Sequence, residues 1–217
     1  MYQQSQQLYE LRHHKVLSQS LFLTALMMVP TVLGVYLGYG SKFSMWGMIA
    51  IVLVLFASLI GASMTASSGN GLALPLVGVF SVTMGLMISV AITAVMKTPN
   101  GAQIIMGAVA AAGVTFGVAG VIGATTKKDL SGMGNILCIA LIAMIVVGLI
   151  NIFLGSSIIS LLLSCIGVVV FTLFTVYDIN RIVTGGETNP IMAAIGLYLN
   201  IINLFMDFLK IFAALDD

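Results

Sequence analysis

At 217 residues and 22.8 kDa the chain has the length of one soluble domain, yet 60% of it is apolar and 7% charged, against roughly 45–50% and about 25% in ordinary globular proteins. Eight Lys and Arg with seven Asp and Glu cannot coat a soluble surface, and a mean hydropathy of +1.16 places the chain in a bilayer. The net charge of +1, with no long basic run, excludes the electrostatic footprint of a nucleic-acid partner.

Charges at mid-bilayer are costly and a span needs about 20 apolar residues, so the intervals between charges count the helices. The first interval, Val16 to Ser41, predicts a helix over 17–38 behind a polar tail, residues 1–15. Its length exceeds the apolar region of a signal peptide, about 7–15 residues, and it is expected to be a retained span. The long interval from Phe43 to Met96 must fold back once, at the polar, glycine-rich stretch Thr65 to Gly71, giving helices over 44–64 and 72–96. A fourth helix is predicted over 103–125. The interval from Leu130 to Tyr177 breaks near Gly155-Ser156-Ser157 into helices over 134–154 and 157–180, and the last helix covers 191–213. Unpaired backbone groups in lipid require helices or a closed barrel, and runs this long lack barrel alternation. The expected fold is an all-α integral membrane protein with one seven-helix domain over 16–217.

With the amino terminus inside, Arg12, Lys15, Lys127, Lys128 and Arg181 are cytoplasmic, against Lys42, Lys97 and Lys210 outside. That asymmetry follows the positive-inside tendency. Cys138 and Cys165 lie among apolar neighbours and are expected to act as small hydrophobes rather than as a disulfide. Gly107, Gly113, Gly117 and Gly120 put a small face on the fourth helix, suited first to close packing within the bundle and second to self-association. The adjacent His13 and His14 sit in the polar tail, where a solvated role is expected.

No enzyme signature is present: there is no Gly-x-Ser-x-Gly elbow, His-Glu-x-x-His pair or phosphate loop. Neither a cofactor nor a metal is expected. Ionisable residues at membrane depth are functional candidates by default, which singles out Asp178 at the end of helix six. On helix seven Asn200, Asn203 and Asp207 step by three and four residues and share one face, with Lys210 one turn beyond. A polar stripe on an apolar helix must look inward, either as interhelical hydrogen bonding, with Asp207 paired to Lys210, or as the wall of an ion path.

Several segments then converge. Lys127-Lys128-Asp129-Leu130-Ser131 with Gly134, Asn151-Ile152-Phe153, Tyr177-Asp178-Ile179-Asn180, and Leu197-Tyr198-Leu199-Asn200-Ile201-Ile202-Asn203-Leu204-Phe205 resemble, in order and spacing, the motifs of the Bax-inhibitor family of seven-helix membrane proteins. The resemblance implies six helices surrounding a central seventh. It also implies, for calcium-leak members, a pair of aspartates in the helix-six and helix-seven motifs whose shared proton gates the path, with a basic latch between helices two and three. Asp178 matches the first aspartate, but Asn200 stands at the second and cannot ionise, and the helix two to three turn holds no Lys or Arg.

His14-Lys15-Val16-Leu17 and Gly185-Gly186-Glu187-Thr188-Asn189 resemble the bacterial branch that modulates the membrane-embedded AAA protease FtsH. That resemblance implies a non-enzymatic inner-membrane protein whose partners are an FtsH-type protease and the lipid bilayer. Its partner contacts are then expected at His14, Lys15, Gly185, Gly186 and Glu187. The alternative is a pH-sensitive calcium or cation leak through Asp178, Asn200, Asn203 and Asp207.

Overall fold

The computed structural model describes the backbone of residues 2–216 and the side chains of residue 11 and residues 13–216. The described residues form seven α-helices: α1 Tyr2–Gly38, α2 Met45–Ser67, α3 Ala73–Val95, α4 Gly101–Thr125, α5 Met133–Leu154, α6 Ser157–Val183 and α7 Pro190–Asp216. All seven are long and apolar enough to cross a membrane, and no strand occurs among the described residues. Both fold-backs fall where glycine permits the turn. Gly69, after α2, and Gly155, after α5, adopt φ of +68° and +61°, a region that favours glycine.

The largest boundary difference is at the start. The apolar part of α1, His13–Gly38, matches the expected span, but the helix begins at Tyr2. Gln, Glu, Leu and Arg are good helix formers, and no Gly or Pro interrupts residues 2–29, so the span's helix propagates backward through the polar segment. The side chains of residues 2–10 and 12, which hold most of the expected tail, lie outside the described residues. His13 departs from its expected solvated role: it is buried, at 5% exposure, while His14 is exposed. Successive helical residues point about 100° apart, so one neighbour can be buried while the next is exposed.

Contacts cluster in two compact units. One comprises Lys15–Pro99 and Asn189–Tyr198. In it α1 crosses α3 at Gly34 and Gly85, so closely that a Cβ on either glycine would strike backbone of the other helix. Tyr198 is fully buried, its hydroxyl 2.7 Å from Thr31 Oγ1 and its ring edge-on to Phe80 with centroids 5.6 Å apart. Asn189 precedes Pro190 and caps α7, its Oδ1 accepting from Ile191 N and Met192 N, while its Nδ2 donates to Ala66 O at 2.8 Å.

The other unit holds the chain up to His14, Asn100–Thr188 and the chain from Leu199. Ala112, Phe171 and Leu204 form a buried cluster with Phe116, Phe174, Phe205 and Phe208 packed against it. Of the expected small face on α4, Gly107 meets Phe212 and Gly120 meets Ile179, whereas Gly113 and Gly117 face open space. On α4 the tightest approach is at Gly123, against the Val176 carbonyl of α6. Cys138 and Cys165 are free and exposed on the helix surfaces. Half of the most apolar window of α7 is buried, the largest share of any helix.

Candidate functional site

The chemistry-bearing residues gather around the second half of α6 and the part of α7 from Leu199 onward. Asp178 is half-buried, and its Oδ2 accepts a 2.7 Å hydrogen bond from Asn200 Nδ2. An acid beside a neutral amide can be hydrogen-bonded without a shared proton, because the amide supplies the donor itself. Asn203 does not extend this contact, since its Nδ2 donates to the Leu199 carbonyl one turn back in its own helix, at 2.8 Å.

Asp207 is buried at 8% exposure and lies against Gly167 of α6, the position where a side chain would displace its carboxyl group. Ser164 is its hydrogen-bonding neighbour, while its Oδ2 has no partner. Lys210 acts on it electrostatically but stays outside ion-pair distance; among the described residues the ion pair found is Arg181–Glu187. From Gly167 to Asp178 the rise along α6 is about 16 Å at 1.5 Å per residue. The two carboxylates therefore belong to separate environments and cannot act as a catalytic pair. Among the described residues no three of His, Cys, Asp and Glu come together to hold a metal ion.

About two turns beyond Asp178, the loop 185–187 folds back onto the end of α6. Gly186 N and Glu187 N donate to the Arg181 carbonyl at 2.8 and 3.1 Å, and Arg181 Nε donates to the Gly186 carbonyl. The Arg181–Glu187 ion pair, 3.5 Å, closes the loop, and Gly185 turns at φ +83°. Backbone bonds therefore give Gly185, Gly186 and Glu187 a defined conformation. His14 and Lys15 are exposed on α1.

Asn180 was missed by reading charges alone. It is 1% exposed; its Oδ1 accepts from Leu130 N at 3.1 Å, and its Nδ2 donates to the carbonyls of Thr126 at 2.8 Å and Lys128 at 3.2 Å. One amide thus holds the whole α4–α5 connection. Tyr177, three residues earlier, places its hydroxyl against Gly134. The Lys-Lys-Asp-Leu-Ser segment, Gly134 and the Tyr-Asp-Ile-Asn segment form one packed structure. Asn151 plays the same part at the next turn, accepting from Ser156 N and donating to the Ser156 carbonyl and Ser160 Oγ. We expect Asn180→Ala to lower stability by about 2–3 kcal/mol, a few net hydrogen bonds together with partly unsatisfied backbone. Thermal unfolding in detergent, with proteolysis at residues 126–130, measures it; an unchanged transition and an uncut loop would refute the latch.

Comparison with known proteins agrees with this packing of motifs. The family model described as inhibitor of apoptosis-promoting Bax1 matches residues 13–217. The chain belongs to the Bax-inhibitor family. It is 43% identical over 119 residues to an uncharacterized membrane protein of Vibrio cholerae, covering 55% of this chain and 53% of that one. Inner membrane protein YbhL of Escherichia coli is 39% identical over 108 residues, 45% of this chain and 46% of YbhL. A Streptococcus pyogenes membrane protein is 34% identical over 176 residues, 77% and 72% of the two chains. The chain thus spans about half the length of the first two relatives. As a Bax-inhibitor family member it is a multi-pass membrane protein with seven membrane-spanning helices.

Proposed function

We propose that this Bax-inhibitor protein is a partner-binding regulator in a bacterial inner membrane that modulates a membrane-embedded AAA protease of the FtsH type. The observation that carries the reading is the Asp178–Asn200 hydrogen bond. A proton-sharing gate needs two carboxyls, and here the second position holds an amide, which donates to the first without a shared proton. With that gate unavailable, the features left to act are the polar amino-terminal segment and the tied loop at Gly185, Gly186 and Glu187. A processive protease engages exposed polar chain, and seven packed spans resist extraction. Deleting residues 2–12 is expected to leave insertion and unfolding temperature unchanged while abolishing the effect on proteolysis of other membrane substrates. Undiminished protease inhibition by the truncated protein would sink this reading.

The reading places the amino terminus and the loop 185–187 on the cytoplasmic side. Glu187→Cys removes a part-buried ion pair with Arg181 and the hydrogen bond from Thr188 N, a cost of about 1–2 kcal/mol that leaves the seven spans in place, and so reports topology. The cysteine is expected to react with an impermeant maleimide in inverted vesicles and stay unlabelled in intact spheroplasts. Labelling from outside would overturn the orientation.

The cation-leak reading keeps one observation in its favour. Asp207 presents a buried carboxylate oxygen without a partner, on the same helix as Asn200.

A further inference from the structure

A groove of about 410 Å³ opens where α5 turns into α6, within the size range of ligand pockets, roughly 300–1,000 Å³. Asn151, Ser156, Ser157 and Ser160 line it together with Lys210 of α7, and the rest of the lining is glycine, Ile152 and Leu163. No acid faces it, so its one formal charge is positive. Asp207, one turn before Lys210, is packed at Gly167 and is not part of the lining.

Most of the neutral polar groups are already committed. Asn151 bonds Ser156 and Ser160, Ser160 Oγ donates to the Ser156 carbonyl, and Ser156 Oγ accepts from Ile159 N. These bonds hold the groove's shape without an occupant. Lys210, exposed and outside ion-pair distance of any carboxylate among the described residues, remains to meet one. A lysine ammonium backed by fixed hydroxyls and amide dipoles suits a phosphate, as a point charge.

The position selects the source of that phosphate. The groove lies where the spans Met133–Leu154 and Ser157–Val183 end, the level at which lipid phosphates sit outside the hydrocarbon. Its flanks are strongly apolar: Ile152, Phe153, Leu154 and Ile158 are 74%, 91%, 62% and 71% exposed. Large apolar side chains displayed around a polar groove match a ligand with a charged head and acyl chains. A free anion would gain nothing from them. Lys210 reaches this level as lysines near helix ends do, stem along apolar surface and head at the interface.

We propose that the α5–α6 groove binds the phosphate headgroup of an anionic phospholipid, with Lys210 as its charge partner and the exposed apolar residues of the turn beside its acyl chains.

The test uses the full chain: it is purified in mild detergent with equimolar phosphatidylglycerol and phosphatidylcholine, and its retained lipids are counted by native mass spectrometry. Phosphatidylglycerol is expected to be retained preferentially. Lys210→Gln should reduce it about fivefold, the effect of one lysine near a charged surface, and Lys210→Arg should restore it. Ser157→Leu, which fills the mouth and leaves Lys210 in place, should lower retention of the same lipid and so tests the groove should the lysine variant not fold. Equal retention in the wild type, Lys210→Gln and Ser157→Leu would overturn the proposal. Equal retention of the two lipids would overturn its charge argument. Displacement of the lipid by inorganic phosphate at matched concentration would identify a small-anion site and overturn the lipid assignment.

Discussion

Gly85→Ala is expected to destabilise the protein by about 2–3 kcal/mol, while Gly113→Ala should be neutral or stabilising by up to about 1 kcal/mol. Both glycines sit inside apolar helices and both substitutions add one methyl group. At Gly85 the new Cβ would overlap the Thr31 carbonyl and the Gly34 backbone of α1, which have no flexible end to swing aside. The helices must separate, and the contacts around that crossing loosen with them. At Gly113 a Cβ meets nothing within 4 Å, so only the intrinsic preference of helices for alanine over glycine remains. Since Gly34 and Gly85 share one crossing, Gly34→Ala combined with Gly85→Ala should cost less than the two separate effects together. Reversible unfolding in mixed micelles, or steric trapping, measures all four proteins. Similar losses at Gly85 and Gly113 would show that α1 and α3 do not cross as described.

Asn200→Asp is expected to create a pH-dependent calcium flux that the native chain lacks. In the native chain the Asp178–Asn200 contact needs no shared proton, because the amide can donate to the carboxyl in either protonation state, so acidic and neutral buffers should give similar flux in liposomes. The variant sets two carboxyls at the separation now spanned by a 2.7 Å hydrogen bond, where both cannot carry charge at once. At acidic pH one proton shared by the pair replaces the amide and holds α6 to α7. As pH rises that proton is lost and repulsion parts the helices. Flux through Asn200→Asp should therefore increase from acidic to neutral pH, on the order of tenfold if about 1.4 kcal/mol of the gate equilibrium shifts. Arg181 and Glu187 are the charged groups that act on Asp178, and they are unchanged in the variant. Equal pH dependence in both proteins, removed by Asp178→Asn, would show that Asp178 gates a path by itself. That result would put the cation leak ahead of protease modulation.

Charge spacing, with one glycine-rich break inside each of the two longest intervals, determined that this chain is a seven-span membrane protein, because a charge is expensive in hydrocarbon wherever it sits on a helix. Six of the seven helices begin within two residues of their expected positions. The turn at Gly155 and the start of α7 at Pro190 were legible because glycine and proline act locally, before any packing. The polar stripe on α7 was legible for the same reason as the spans, as polar atoms cannot face lipid. Which apolar face turns inward was not legible. In water a helix shows a contrast between its buried and solvated sides, but lipid is as apolar as the protein interior, and the contrast disappears from the sequence. Gly113 and Gly117 therefore read as a packing face yet point outward, while Gly34, Gly85 and Gly123 make the close approaches. The partners of the polar stripe were hidden likewise. Asn200, Asn203 and Asp207 share a helix face, but one bonds Asp178, one bonds its own helix, and one rests on Gly167. Those outcomes depend on what α6 presents at each level, which only the tertiary structure decides.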